Sequence, residues 1–231
     1  MLLQIVSASK TTTIDEVIER MNRIDEILPN SDGLKWFNWL YLLVTTSVKE
    51  NPPSSAWQHP EWLMQLDVVF ANLYFAAIQS ALSAGSTPKS WQALFEARMR
   101  GGIDRMQFAL AGMNAHINHD LSLALLQADA EYNTTPEISS REHDDFERVN
   151  DLLAGVLPQA LHTLATGIVG EAIQDTGKIG RLLALWDVRA ARDLAWRFAD
   201  HLRNLNGPAR QFALNAQDQL TGVLGRTLLA V

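Results

Sequence analysis

Apolar residues recur along this chain at spacings of three and four. Short polar breaks carrying proline or glycine separate the runs, which is the pattern of amphipathic helices joined by tight turns. Ile14, Val17, Ile18, Met21 and Ile24 share one face of a helix reaching Leu28, and Thr13 with Glu16 makes a capping-box start. The spacing predicts a second helix from Asp32 to Glu50 carrying Trp36, Phe37, Trp39, Leu40, Leu43 and Val44. After a loop over residues 51–60, Pro60 suits the first turn of a third helix running to about Ala84. Thr87-Pro88 opens a shorter helix to Arg100, and a long segment from Ile103 to about Tyr132 follows Gly101-Gly102.

Ser139 with Glu142 forms another capping box, for a helix toward Leu157, and Pro158 is expected to start a new helix because proline breaks an existing one. Residues 167–180 are glycine-rich and carry no clear period. Two closing helices run from about Asp187 to Asn204 and from about Pro208 to Leu229. No run alternates with period two, so no sheet is expected. The fold class is therefore all-α: one domain over residues 1–231, a compact bundle of about eight or nine helices around the long central one.

Composition narrows the function classes. The chain has 231 residues and a formal net charge of −7, with no basic run longer than two. That disfavours nucleic acid as a partner, since phosphate binding needs clustered Lys and Arg. The absence of cysteine excludes disulfides, thiolate-bound metals and thiol nucleophiles. No stretch approaches the roughly 18 apolar residues of a membrane span, and residues 1–9 lack the features of a signal peptide, so a cytoplasmic protein is expected. There is no phosphate loop, no nucleophile elbow, no H-E-x-x-H and no EF-hand loop.

What stands out is the middle of the long helix. Between the apolar runs 108–113 and 121–126 lie Asn114, His116, Asn118, His119 and Asp120. Each such group costs about 1–3 kcal/mol if buried without a partner, so each needs an answer from protein, water or ligand. His116 and Asp120 are i,i+4 neighbours, and Asn114 and Asn118 form a second such pair. Gly112 leaves room one turn earlier for a close helix crossing or a ligand.

The H-x-x-x-D pair has two readings. As a functional pair, His116 and Asp120 ligate a divalent metal, or act as a base and its orienter, in a pocket that takes a small molecule. The similar H-x-x-x-D of helical zinc phospholipases comes with further histidine ligands that this chain does not show. As a structural pair, the carboxylate merely holds the imidazole in a packing network, as in a helical interaction protein. On the functional reading Asp120→Ala costs less than ~2 kcal/mol of stability, because water in a site replaces the carboxylate.

His143 and Glu147 repeat the spacing one helix later and, across a helical hairpin, would lie level with the first pair. Asn150 and Asp151, nearer the apolar run, are expected to face inward. Asp67 interrupts an apolar stretch and is expected to pair with Arg192 or His116. Arg192 beside Trp196 suits a carboxylate or phosphate, although the charges of that helix also fit a solvated face.

The runs Leu66-Asp-Val-Val-Phe-Ala-Asn72, Gly112-Met-Asn-Ala-His-Ile-Asn-His-Asp-Leu121, Asp145-Phe-Glu-Arg-Val-Asn150 and Ala191-Arg-Asp-Leu-Ala-Trp196 resemble the motifs of an uncharacterised, mainly bacterial, all-helical family of unknown function. The G-M-N-A-H-I-N-x-D-L run is the specific part. The resemblance implies an all-helical fold and a shortlist of Asp67, Asn72, Asn114, His116, Asn118, Asp120, Asp145, Asn150, Arg192 and Trp196, with position 119 outside it. It implies no activity.

Overall fold

The structure is a computed structural model that describes residues 1–52, 56–83, 85–166 and 187–230. In chain order the helices are α1 (Leu2–Val6), α2 (Ile14–Ile27), α3 (Gly33–Glu50), α4 (Pro60–Leu82), α5 (Lys89–Ala97), α6 (Arg105–Ala115), α7 (Leu121–Glu131), α8 (Arg141–Thr166), α9 (Val188–Arg203) and α10 (Gly207–Ala230). A π turn, His116–Asp120, joins α6 to α7 without a break. No strand occurs among the described residues, and none of their helices is long and apolar enough to cross a membrane. The glycine-rich stretch expected over residues 167–180 lies outside the described residues.

Local chemistry sets the helix starts. Thr13 accepts from the Glu16 N–H, Asp32 from the Leu34 N–H and Asp187 from the Ala190 N–H. Each satisfies a donor that the first turn would otherwise leave unpaired. Asp104 and Gln107 complete a reciprocal capping box at the start of the central helix.

Two expectations need correction. Helix α8 is capped by Ser140, whose hydroxyl accepts from the His143 N–H, and Ser139 sits at φ +70° outside it. Helix α8 also runs straight through Pro158. Leu153, Leu157, Ala160 and Leu164 form a buried stripe across that position. Burying such a stripe, at about 1.5–3 kcal/mol per large side chain, outweighs the ~3 kcal/mol that an interior proline costs. Helix α1 corresponds to no expected element; Ile5 and Val6 fasten it to the core.

The helix formed by α6, the π turn and α7 packs against α3, α4, α5, α9 and α10, with α8 reaching α6. Every residue from Met106 to Ala115 is buried. The room left by Gly112 is used for a helix crossing: a Cβ there would meet the Phe37 ring at 2.3 Å, and a Cβ on Gly33 would meet Phe108 at the same distance. The two glycines let α3 and α6 each seat an aromatic ring on the other's backbone.

Candidate functional site

The π turn places the polar cluster. The Leu121 N–H donates to the His116 carbonyl five residues back, a wider turn than an α-helix and one that recurs at functional positions. From this turn the Asp120 carboxylate receives three donors. Its Oδ2 accepts from Trp91 Nε1 and from His116 Nδ1, both at 2.9 Å, and its Oδ1 accepts from His119 Nδ1 at 2.7 Å. Burial alone would raise the Asp120 carboxyl, but the hydrogen bonds and charges of the two histidines hold it below the ordinary carboxylate range. An ionised carboxylate only accepts, so both imidazoles carry hydrogen on Nδ1.

The two histidines then diverge. Burial pushes His116 down, and the pull of Asp120 does not restore it. It is neutral near pH 7, with a bare, acceptor-only Nε2. That nitrogen has no hydrogen-bond partner among the described residues. For His119 burial also acts downward, but Asp120 and Asp218 together raise it. Its Nε2 lies 3.6 Å from Asp218, a residue that caps α5 through the N–H groups of Lys89 and Ser90.

Aromatic rings fix the His116 plane. Phe70 stacks on it with 3.5 Å between centroids and 4° between planes, and Tyr41 meets it edge-on at 4.5 Å. His116 forms part of the wall of a cavity of about 80 Å³ between α3, α4, α8, α9 and the central helix. That space exceeds the ~10–15 Å³ one water needs and accommodates several water-sized groups. Its walls are mostly apolar, with Tyr41, Thr45, Asp67, His116 and Arg192 as the polar members.

Asp67 sits deep among core atoms yet keeps some accessible surface because it faces this cavity. Burial pushes it up to about 7, against the pull of Arg192. Burial lowers Arg192 to about 10, leaving it a cation at neutral pH. Its Nε donates to Asn150 Oδ1 at 2.7 Å and its Nη2 to the Phe146 carbonyl at 2.6 Å. Burial also lifts the Tyr41 phenol well above its ordinary value, so it stays protonated.

Of the sequence shortlist, His116, Asp67 and Arg192 meet at the cavity, with Asp120 behind His116 and Asn150 behind Arg192. The other members act elsewhere. Asn72 clamps the N-terminal segment through Thr11. Asp145 accepts from the N–H groups of Gln58 and His59 and so anchors the start of α4. Asn114 donates to the Thr221 carbonyl of α10 and accepts from Asn118. Trp196 is buried against Phe146 and His143.

His143 thus faces Trp196, and the expected second histidine–carboxylate pair does not complete the first. Asn150 faces inward as expected, whereas Asp151 is exposed and pairs with Arg189. Arg192 is buried, contrary to a solvated face. Tyr41, Trp91 and the role of His119 escape the sequence reading. Trp91 is one of seven tryptophans in the chain, and nothing local in the sequence ties it to Asp120.

The donor set bears on the metal reading of His116 and Asp120. Both oxygens of Asp120 are engaged, leaving His116 Nε2 as the free ligand atom of the pair. Among the described residues no group of three or more His, Asp or Glu side chains is arranged to hold an ion. No curated protein and no solved structure matches the chain. A family model does, over residues 14–231, and the chain belongs to the family of unknown function DUF5995.

Proposed function

We propose that the cavity is a small-molecule site and that His116 acts in it as a general base, in an acid–base hydrolysis of a small, largely apolar substrate. The observation that carries this is the unpartnered Nε2 of a buried, neutral imidazole on the wall of a cavity that also holds Asp67 and Arg192. A base with its proton-bearing nitrogen locked to a carboxylate has one possible working atom, and here that atom has no partner among the described residues.

In such a step a water donates its proton to His116 Nε2 as its oxygen attacks a substrate carbonyl. Asp120 stabilises the imidazolium that forms. Arg192 or protonated Asp67 donates to the developing oxyanion. The proton on His116 then passes to the leaving alkoxide, releasing an alcohol and a carboxylate. Two groups on one cavity with oppositely displaced proton affinities, His116 down and Asp67 up, are suited to a base and an acid. The metal-assisted version has weaker support, because both Asp120 oxygens already accept hydrogen bonds and the described residues hold no group of three ligating side chains.

The test is hydrolysis of short-chain p-nitrophenyl esters by wild type and His116→Gln. Loss of about 10²–10⁴-fold in the variant, with the fold intact by circular dichroism, is expected. Equal rates in the two proteins would reject the base. A second reading, a non-catalytic helical scaffold or interaction protein, is favoured by the full satisfaction of Asp120, since a three-donor network also fixes helix packing. It leaves the bare Nε2 unexplained.

A further inference from the structure

Arg192 is 7% exposed, yet no carboxylate among the described residues lies within ion-pair distance of it. Buried cations are ordinarily paired. Asp67 acts on it electrostatically from farther off, and Asp67 itself has no hydrogen-bond partner among the described residues. The guanidinium is held rigidly: two of its nitrogens are bound to Asn150 and Phe146, and its plane lies over the Phe146 ring at 4.0 Å. Nη1 and the second N–H of Nη2 have no hydrogen-bond partner among the described residues. The cavity therefore presents a fixed cation and a carboxyl group that do not satisfy each other.

The rest of the cavity wall is mostly apolar. Leu40, Val44 and Val48 follow one another on α3, with Val149, Leu153 and Leu157 on α8. Eight residues of helix span about 12 Å. A volume of about 80 Å³ beside walls of that length is small, and a slim chain fills it more readily than a ring.

We infer that the ligand of this cavity is a monocarboxylate with an unbranched aliphatic body, its carboxylate bridging Arg192 and Asp67 and its chain lying along the apolar walls. This rests on the cavity being a small-molecule site, and it matches the acid that ester hydrolysis there would release. A phosphate dianion fits less well, bringing two charges to a wall with one cation. An amide would also bridge the two groups, but its neutral oxygen makes weaker hydrogen bonds to a cation and a carboxyl than an ionised carboxylate does. A carboxylate instead accepts from both, with Asp67 protonated, in charge-assisted hydrogen bonds.

Binding should then take up a proton. The groups that face Asp67 are Tyr41 from α3, His116 from the π turn and Arg192 from α9, with Glu147 of α8 and Asp193 acting on Arg192. Tyr41 stays protonated and Arg192 stays charged across the neutral range, so Asp67 is the group that changes.

The experiment is isothermal titration of the full-length protein with hexanoate, butanoate, hexanamide and hexanol at pH 6 and pH 8, in buffers of different ionisation enthalpy. Hexanoate should bind at least tenfold tighter than hexanamide at pH 6. It should weaken about tenfold by pH 8, where close to one proton is taken up per ligand. Removing two methylenes should weaken binding by roughly fifteenfold, about fourfold for each. Asp67→Asn, which keeps a donor and cannot titrate, should bind hexanoate with no pH dependence and tighter than wild type at pH 8. Preference for hexanamide or hexanol would overturn the carboxylate assignment and leave the small-molecule reading standing. A persistent pH dependence in Asp67→Asn would overturn the bridging geometry. No saturable binding of any probe would overturn the assignment, and only an unchanged ester rate in His116→Gln would also remove the catalytic reading.

Discussion

The central helix carries two polar i,i+4 pairs within seven residues, and the fold treats them in opposite ways. Asn114 and Asn118 bond to each other; Asn114 also reaches the Thr221 carbonyl, and Gln217 donates to the Asn118 carbonyl. Asn114 Nδ2 fastens α10 to the centre of the bundle, while its Oδ1 is taken by Asn118. His116 and Asp120 also bond to each other, and both Asp120 oxygens accept hydrogen bonds, but the far nitrogen of His116 has no partner among the described residues. A buried polar pair is thus no sign of a site by itself. On the proposed function, the sign is a polar atom left without a partner in a residue that lines a cavity.

Four substitutions sharpen this contrast. The largest effect belongs to Asp120→Ala, which strands Trp91 Nε1 and two imidazole N–H groups and should cost about 3–5 kcal/mol in urea unfolding. This replaces the loss below ~2 kcal/mol expected when Asp120 is taken to face a solvated pocket, because its oxygens face donors rather than space. A loss under ~1 kcal/mol would show that the network is not formed.

Next is Asp67→Asn, which should stabilise. A carboxyl raised to about 7 in the folded state favours folding only while protonated. Its contribution is complete below the unfolded value near 4 and is lost as pH rises through 7. Three units amount to ~4 kcal/mol at most, and solvent in the cavity reduces this to about 1–3. The variant should therefore gain that much at pH 8 and nothing at pH 4; equal stability at both would mean an ordinary carboxylate.

Asn114→Ala removes the tie to α10 and should cost about 1–2 kcal/mol with no change in ester hydrolysis or hexanoate binding. A loss of binding would make the two pairs one site. Smallest is His116→Gln, expected to cost about 0.5–1.5 kcal/mol through the lost Nδ1 hydrogen bond to Asp120. A loss above ~3 kcal/mol would place His116 with the structural groups.

The sequence shows most of the fold because its determinants are local. The caps at Thr13, Asp32 and Asp187 bind backbone within three residues, and apolar periodicity needs only one turn of context. What escapes it is long-range or irregular. Helix α8 crosses Pro158 because of a buried stripe on both sides of it, and the π turn has no periodic signature. The candidate site is half visible for the same reason. The run from Asn114 to Asp120 stands out against its apolar flanks, but Trp91 comes from 29 residues away and Arg192 from 42 residues beyond Asn150. Asn72, Asn114 and Asp145 look like site residues in sequence and prove to be fasteners, because polar residues in apolar runs serve both ends.

The most direct measurement is nitrogen-15 NMR of the histidine rings across pH 5–8. His116 and His119 share the Asp120 carboxylate but are displaced in opposite directions. His116 should remain the Nδ1–H tautomer with a bare Nε2 and stay neutral below the ordinary histidine value of about 6.5, while His119 becomes protonated above that value. A His116 that carries its hydrogen on Nε2, or titrates at or above 6.5, would remove the base from the cavity and leave the cluster a structural network.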